Sequence, residues 1–445
     1  MICPPADSDK PDAPHDELAA RANRWHIAYD PRVLWPHVEP QVLQPAADEV
    51  AAAVAARLRD EPASLGAPNG SDAAAIGVAA HLSGTGPLLG FWLERDELRV
   101  HPALASLLTR QRTHARARAE RIARGAIPML ARLVEGGIAP VVMKGFHTAH
   151  VYFPEPGLRP MADVDIVVAP SDIARAESLL REAGFQPSPT IVQPYKRDWY
   201  PPDHDNRLWS FEVFHAREGW KLELHDRANF GYLRVFGLRL DGGVRHGAGW
   251  QVGGVPVRVP AQPLLTVLLA VHQSVELRVA RLLRLVELIH VIRRDLGNGS
   301  LEWEEFDALL DEFGARRFVY PALSFVEQLV PGTVDPAVLS RSRRTTTRLA
   351  RVMVSGMTPS RPILDRRAGL VERLMWVGDI RDLGKRAKHF LNPIPGAPVS
   401  EVVKLYAGRA RRLVLLLASQ SRALGAGIAR LPSGQPAPTR DRGRE

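Results

Sequence analysis

Apolar residues recur at steps of three and four through much of the first 136 positions, and the plainest case is 112–135. There Ala115, Ala119, Ile122, Ala126, Met129, Leu130 and Leu133 line up as one face of a helix, which Gly136-Gly137 closes. Arg112, Arg116, Arg118, Arg121 and Arg124 fall mostly off that face and read as a solvated side. The texture then changes. Ile138–Met143 is a short apolar run suited to a buried strand, and Asp163–Val168 alternates polar and β-branched residues, which predicts another. A short amphipathic stretch and the Pro/Gly-rich loop Pro154–Pro160 separate them. Ser171 offers an N-cap to a stripe of Ile173, Ala176, Leu179, Leu180 and Ala183, ended by Gly184. Leu208–His215 and Lys221–His225 alternate again, with Ala216–Trp220 as a hairpin loop, and Val252–Val259 is a further strand candidate. After Pro263, segments dense in Leu and Val predict helices to about 425.

These patterns imply an α+β chain in five parts. Residues 1–20 and 431–445 read as disordered tails, 21–137 as a helical region, 138–260 as a sheet-containing core, and 261–430 as a second helical region. Hydrophobic residues at 45% and charged residues at 24% fit a folded globular protein. The single cysteine, Cys3, excludes an intrachain disulfide and a Cys-built zinc site, and no disulfide-linked partner is expected. No apolar run approaches the ~18–20 residues needed to span a bilayer. The polar N-terminus lacks a signal pattern, so the expectation is a cytoplasmic protein without a membrane partner. Lys+Arg number 58 against 49 acids, and only seven are lysines. The surplus permits a phosphate-bearing or nucleic-acid partner and requires neither.

Three polar elements lie on or beside the strand candidates: Lys144-Gly145, Asp163-Val164-Asp165, and Glu223 between Lys221 and His225. Side chains two apart in a strand share a face, so Asp163 and Asp165 project together, as do Lys221, Glu223 and His225. Two neighbouring aspartates in an apolar strand repel unless a cation neutralises them. Mg²⁺ takes carboxylate oxygens and leaves positions for water and phosphate, and a third carboxylate nearby would complete a two-metal site. Each element alone also fits an ordinary turn or surface strand. His225 is either a substrate contact or part of a polar strand face. The aromatics Tyr195, Trp199, Tyr200, Trp209 and Phe211 either pack the core or build a base-stacking wall.

Taken in order, Val142-Met143-Lys144-Gly145, Tyr152, Pro154, Pro156, Gly157, Arg159, Pro160 and the Asp-x-Asp of Asp163–Val168 resemble the uncharacterised nucleotidyltransferase family of the DNA polymerase β-like superfamily. Weaker likeness at Gly184-Phe185, Leu222–His225, His272 and Glu287 extends the resemblance over roughly 110–330. The resemblance implies a minimal nucleotidyltransferase core, a small mixed sheet with flanking helices. It also implies transfer of a nucleoside monophosphate from an NTP to an acceptor hydroxyl with loss of pyrophosphate. By the same resemblance Asp163, Asp165 and Glu223 are the catalytic acids and metal ligands, with one or two Mg²⁺ ions, and Glu223 is either ligand or proton acceptor. Lys144, Gly145, Lys221 and His225 are candidates for holding the nucleotide phosphates. Arg159 either joins them or braces the Asp-x-Asp strand, and Glu287 is expected in a helix-interior salt bridge. The acceptor is open among small molecule, protein and RNA. The arginine-rich stretches 110–124 and 341–351 motivate RNA. The alternative is a catalytically inactive binding or scaffold protein on the same fold.

Overall fold

The chain enters through helices, as the three-and-four spacing predicts. α1 (His15–Ala28), α2 (Pro40–Leu58), α3 (Gly70–Ser83) and α4 (Gly86–Glu94) precede α5 (Pro102–Glu135). A small parallel pair, β1 (Ala63–Leu65) and β2 (Leu98–Val100), links them. The computed structural model describes residues 15–28, 30–66, 70–189, 195–227, 247–275, 277, 281–360, 374–391, 403, 406 and 407. Helix α1 starts at His15, inside the stretch expected to be a tail. The expected tail at 431–445 and most of the helical expectation beyond 391 lie outside the described residues.

The helix read at 112–135 is the second part of α5, which runs for 34 residues, about 50 Å at 1.5 Å per residue. Its length lets it serve two cores. Leu104 and Leu108 pack with α2–α4, whereas Ile122, Ala126, Met129, Leu130 and Leu133 back the central sheet. Gly125 permits the close approach: a Cβ there would lie 2.4 Å from Trp220 Cζ2.

The arginine side of α5 is only partly solvated: Arg116 and Arg124 are exposed, as expected, while Arg112, Arg118 and Arg121 are drawn in. Arg112 and Arg118 are 8% and 4% exposed. Arg118 donates to the carbonyls of Met161 at 3.0 Å and Gly219 at 2.9 Å and pairs with Glu218 at 3.0 Å. Arg121 holds Asp203 at 2.8 Å, Arg112 holds Glu155 at 3.0 Å and Arg110 holds Glu212 at 2.7 Å. Their long stems pack along the helix while the planar heads collect carbonyls and carboxylates of the loops that close over the sheet. This commitment takes Arg112, Arg118 and Arg121 out of the 110–124 stretch as an RNA surface and leaves Arg110, Arg116 and Arg124 exposed.

The remaining elements of the core are β3 (Val141–Val142), α6 (Phe146–Val151), β4 (Asp163–Val167), α7 (Ile173–Glu182), β5 (Gln186–Pro187), β6 (Lys196–Tyr200), β7 (Lys221–His225), β8 (Gly247–Val252) and β9 (Val255–Pro260). The sheet order is β5-β6-β7-β4-β3-β9-β8, with β4 parallel to β7 and antiparallel to β3. Three sequence expectations are corrected here. Leu208–His215 forms no strand, because Ser210 Oγ accepts from the amides of Glu212 and Val213 and curls the backbone locally. The partner of β7 is instead β6, which the aromatic-rich 195–200 stretch concealed. Ser171 sits within a short 3-10 turn and α7 begins after it, at Ile173. The strand candidate at 252–259 is a hairpin, β8 and β9 turning at Gly253-Gly254.

α8 (Leu264–Val275), α9 (Leu282–Gly297), α10 (Trp303–Glu312), α11 (Tyr320–Leu329), α12 (Pro336–Thr345) and α13 (Arg348–Ser355) follow, with a last described helix at Ile380–Leu391. His272 and Glu287 therefore lie on consecutive helices, α8 and α9. Val164, Ile166, Leu222, Leu224 and Trp199 face α5 and α7. Val141, Met143 and Val167 face the other way, into the core shared with α8 and α9. Among the described residues no single helix is long and apolar enough to cross a membrane.

Candidate active site

Period-two alternation on β4, β7 and β6 puts most apolar residues on the α5 side, where Arg197 also pairs with Glu177 of α7, and Asp163, Asp165, Lys221, Glu223, His225, Lys196 and Asp198 on the other. Strand register then arranges the charges. Across the parallel pair, Asp163 stands opposite Lys221, Asp165 opposite Glu223 and Val167 opposite His225. Across the antiparallel pair, Glu223 stands opposite Asp198 and His225 opposite Lys196. Asp165, Glu223 and Asp198 thus form one row over three strands, with Lys221 on one side of it and His225 and Lys196 on the other.

The side chains close this grid into a network. His225 Nε2 lies 3.0 Å from Asp165 Oδ1 and 3.5 Å from Glu223 Oε2. Lys221 reaches Glu223 Oε1 at 2.6 Å and Asp198 Oδ2 at 2.7 Å. Lys196 closes on Glu223 Oε2 and stands 3.9 Å from Asp198. Lys144 enters from the end of β3, which pairs with β4, and donates to Asp165 Oδ2 at 3.0 Å. Gly145 follows at φ 83°, a backbone shape that favours glycine, and turns the chain into α6.

Arg159 takes the bracing role. Its Nε and Nη2 reach Glu287 Oε1 and Oε2 at 2.9 and 3.0 Å. The Thr148 hydroxyl donates to the same carboxylate. Glu287 on α9 is therefore the expected salt-bridge residue, and Arg159 is its partner. The pair ties the loop before β4 and the turn after Lys144 to one helix.

Burial and partners set the charge states. Burial pushes the Asp163 carboxyl up, and neighbouring Asp165 adds to the push. Burial acts on Asp165 too, but Lys144 and His225 hold it well below the usual range. Against the same penalty, His225 and Lys196 bring Glu223 down to about 2. The His225 imidazolium is favoured by the two carboxylates in spite of burial. Among the described residues Asp163 has no ion pair of its own.

Asp165, Glu223 and His225 each offer one ligand atom, and these atoms lie within 4.8 Å of one another. Two carboxylate oxygens and, once it gives up its proton, an imidazole nitrogen fit a divalent cation. Asp163 shares the face one row away. The structure thus brings together Asp163, Asp165, Glu223, Lys144, Gly145, Lys221 and His225, and turns Arg159 toward Glu287. Lys196 and Asp198 are the additions. Their signal in the sequence is the alternation of Lys196, Asp198 and Tyr200 around Trp199. The aromatics build no common wall: Trp199 is buried beneath Arg181, Trp209 stacks on His215, and Phe211 lies under Arg21.

A mixed sheet whose adjacent central strands present facing acids beside a Lys-Gly turn defines a nucleotidyltransferase-type core. The model of the family described as uncharacterised nucleotidyltransferase matches residues 70–331, and the chain belongs to that family. No curated protein and no solved structure matches it.

Proposed function

We propose that the protein transfers a nucleoside monophosphate from an NTP to an acceptor hydroxyl, with Mg²⁺ as cofactor. The acceptor oxygen bonds to the α-phosphorus as its hydroxyl proton passes to solvent water, the bond from that phosphorus to the β-phosphate bridging oxygen breaks, and pyrophosphate leaves. The observation that carries this reading is Asp165 standing in register with Glu223 on adjacent parallel strands, with His225 converging on both. Asp163, Asp165 and Glu223 would hold the metal, which would supply charge stabilisation at the phosphates. Glu223, with a pKa of about 2, is a poor proton acceptor and better suited to be a ligand. Lys144 and Lys221 offer charge to the phosphates, and Gly145 leaves room for their approach to the backbone.

The test is transfer from labelled NTP in the presence of Mg²⁺. Asp163→Asn and Asp165→Asn are each expected to reduce labelling to background with the circular dichroism of the folded protein retained, Asp165→Asn at a lowered unfolding midpoint because it strands Lys144, and full activity in either variant sinks the proposal. The same assay against cell extract reveals the acceptor. One observation favours the second reading, a binding protein without transfer: Lys196 and Lys221 already neutralise Glu223. Calorimetry with Mg²⁺ and each NTP separates the two, since a scaffold without a nucleotide site releases no binding heat.

A further inference from the structure

We propose that Lys196 is a phosphate-binding residue parked on Glu223, released to the nucleotide when a divalent cation takes that carboxylate. The identity of the anion rests on the transferase reading above. The lysine's placement does not.

The argument starts from one oxygen. Lys196 Nζ meets Glu223 Oε2, the same atom that lies 3.5 Å from His225 Nε2. The ammonium therefore sits beside the three ligand atoms that converge within 4.8 Å. An ammonium and a divalent cation on one carboxylate oxygen repel each other, so occupancy by one works against the other. The two lysines on Glu223 then differ in what remains to them. Lys221 keeps Asp198, which it holds at 2.7 Å. Lys196 stands 3.9 Å from that aspartate, beyond hydrogen-bond range, so losing Glu223 costs it its close partner. Its side chain is 18% exposed, which gives the flexible stem room to move. The carboxylates Asp163, Asp165, Asp198 and Glu223 face the lysines Lys144, Lys196 and Lys221 and the His225 imidazole. Adding a divalent cation turns that balance positive and makes the face a receptor for an anion. Metal and phosphate are thereby linked through Lys196.

The experiment titrates full-length protein with Mn²⁺ alone, and then with inorganic pyrophosphate with and without Mn²⁺. In the wild type, Mn²⁺ is expected to tighten pyrophosphate binding by about tenfold or more, a usual size for linked sites. Lys196→Met is expected to tighten Mn²⁺ by about tenfold while weakening pyrophosphate in the presence of Mn²⁺ by a similar factor. A purely structural role moves both affinities the same way, and that result overturns the proposal. So do an unchanged Mn²⁺ affinity and a wild type that binds no Mn²⁺. If Lys196→Met fails to fold, Lys196→Gln is read by the same criteria. Opposite shifts without transfer from any NTP uphold Lys196 and refute the transferase reading, while Asp165-dependent transfer without those shifts does the reverse.

Discussion

Arg159 and Glu287 grip each other edge to edge across 128 residues of sequence, with Nε–Oε1 at 2.9 Å and Nη2–Oε2 at 3.0 Å. The Glu287 side chain is 2% exposed and that of Arg159 13%. Removing one partner strands the other's charge in the core. Arg159→Ala is therefore expected to cost about 3–5 kcal/mol in urea unfolding. The double variant Arg159→Met/Glu287→Leu is expected to recover most of that loss. Equal losses in single and double variants would show that the pair brings no charge penalty.

At the candidate centre, Glu223→Gln removes one negative charge from under two lysines and one histidine. Transfer activity is expected to fall by at least about 100-fold, as losing several kcal/mol of transition-state stabilisation requires. Labelled-NTP transfer at saturating Mg²⁺ checks this, and near-wild-type activity would remove Glu223 from the site.

Close packing at Gly125 reverses an ordinary preference. In an open helix Gly→Ala stabilises by about 1 kcal/mol. Here the added Cβ would meet the Trp220 indole at 2.4 Å, so Gly125→Ala is expected to destabilise by about 1–3 kcal/mol. Shortening the ring with Trp220→Phe in the Gly125→Ala background is expected to recover part of the loss in the same unfolding assay.

His147 makes stability fall in acid. It is 5% exposed, and burial pushes its imidazole down from 6.5 to about 4. The unfolded chain takes up a proton as pH falls below 6.5 while the folded chain does not. Stability is full above that pH and is lost progressively down to about pH 4, by about 3 kcal/mol for this residue. His147→Phe keeps the edge contacts with Tyr152 and Trp250 and is expected to flatten the profile between those limits. An unchanged pH slope would assign the acid sensitivity elsewhere, with His81, which burial pushes down to about 3, and then His290, held at about 4, next in line.

The faces of β4 and β7 were legible from the chain alone. Alternation is local, so Asp163 and Asp165 on one side, and Lys221, Glu223 and His225 on one side, follow from spacing two. The likeness around Lys144-Gly145 and Asp163–Val168 was legible for the same reason: it lies in one continuous stretch. The arginines of α5 misled because periodicity locates a helix's apolar stripe but not the loops that return to cover the rest. Lys196 and Asp198 were missed because Tyr195, Trp199 and Tyr200 read as an aromatic cluster and hid a strand.

By itself, then, the sequence determined the α+β class and, for Asp163, Asp165, Lys221, Glu223 and His225, the shared strand face on which they project. Tertiary structure decided which of them meet. Asp165 faces Glu223 only because β4 lies parallel to β7 in that register. Lys196 joins them only because β6 takes the place beside β7 that local pattern assigned to Leu208–His215. Arg159 binds Glu287 because α9 packs over the turn that follows Lys144. Strand order and register depend on burying one face against helices distant in the chain, a free energy summed over the whole core, and no local spacing encodes it.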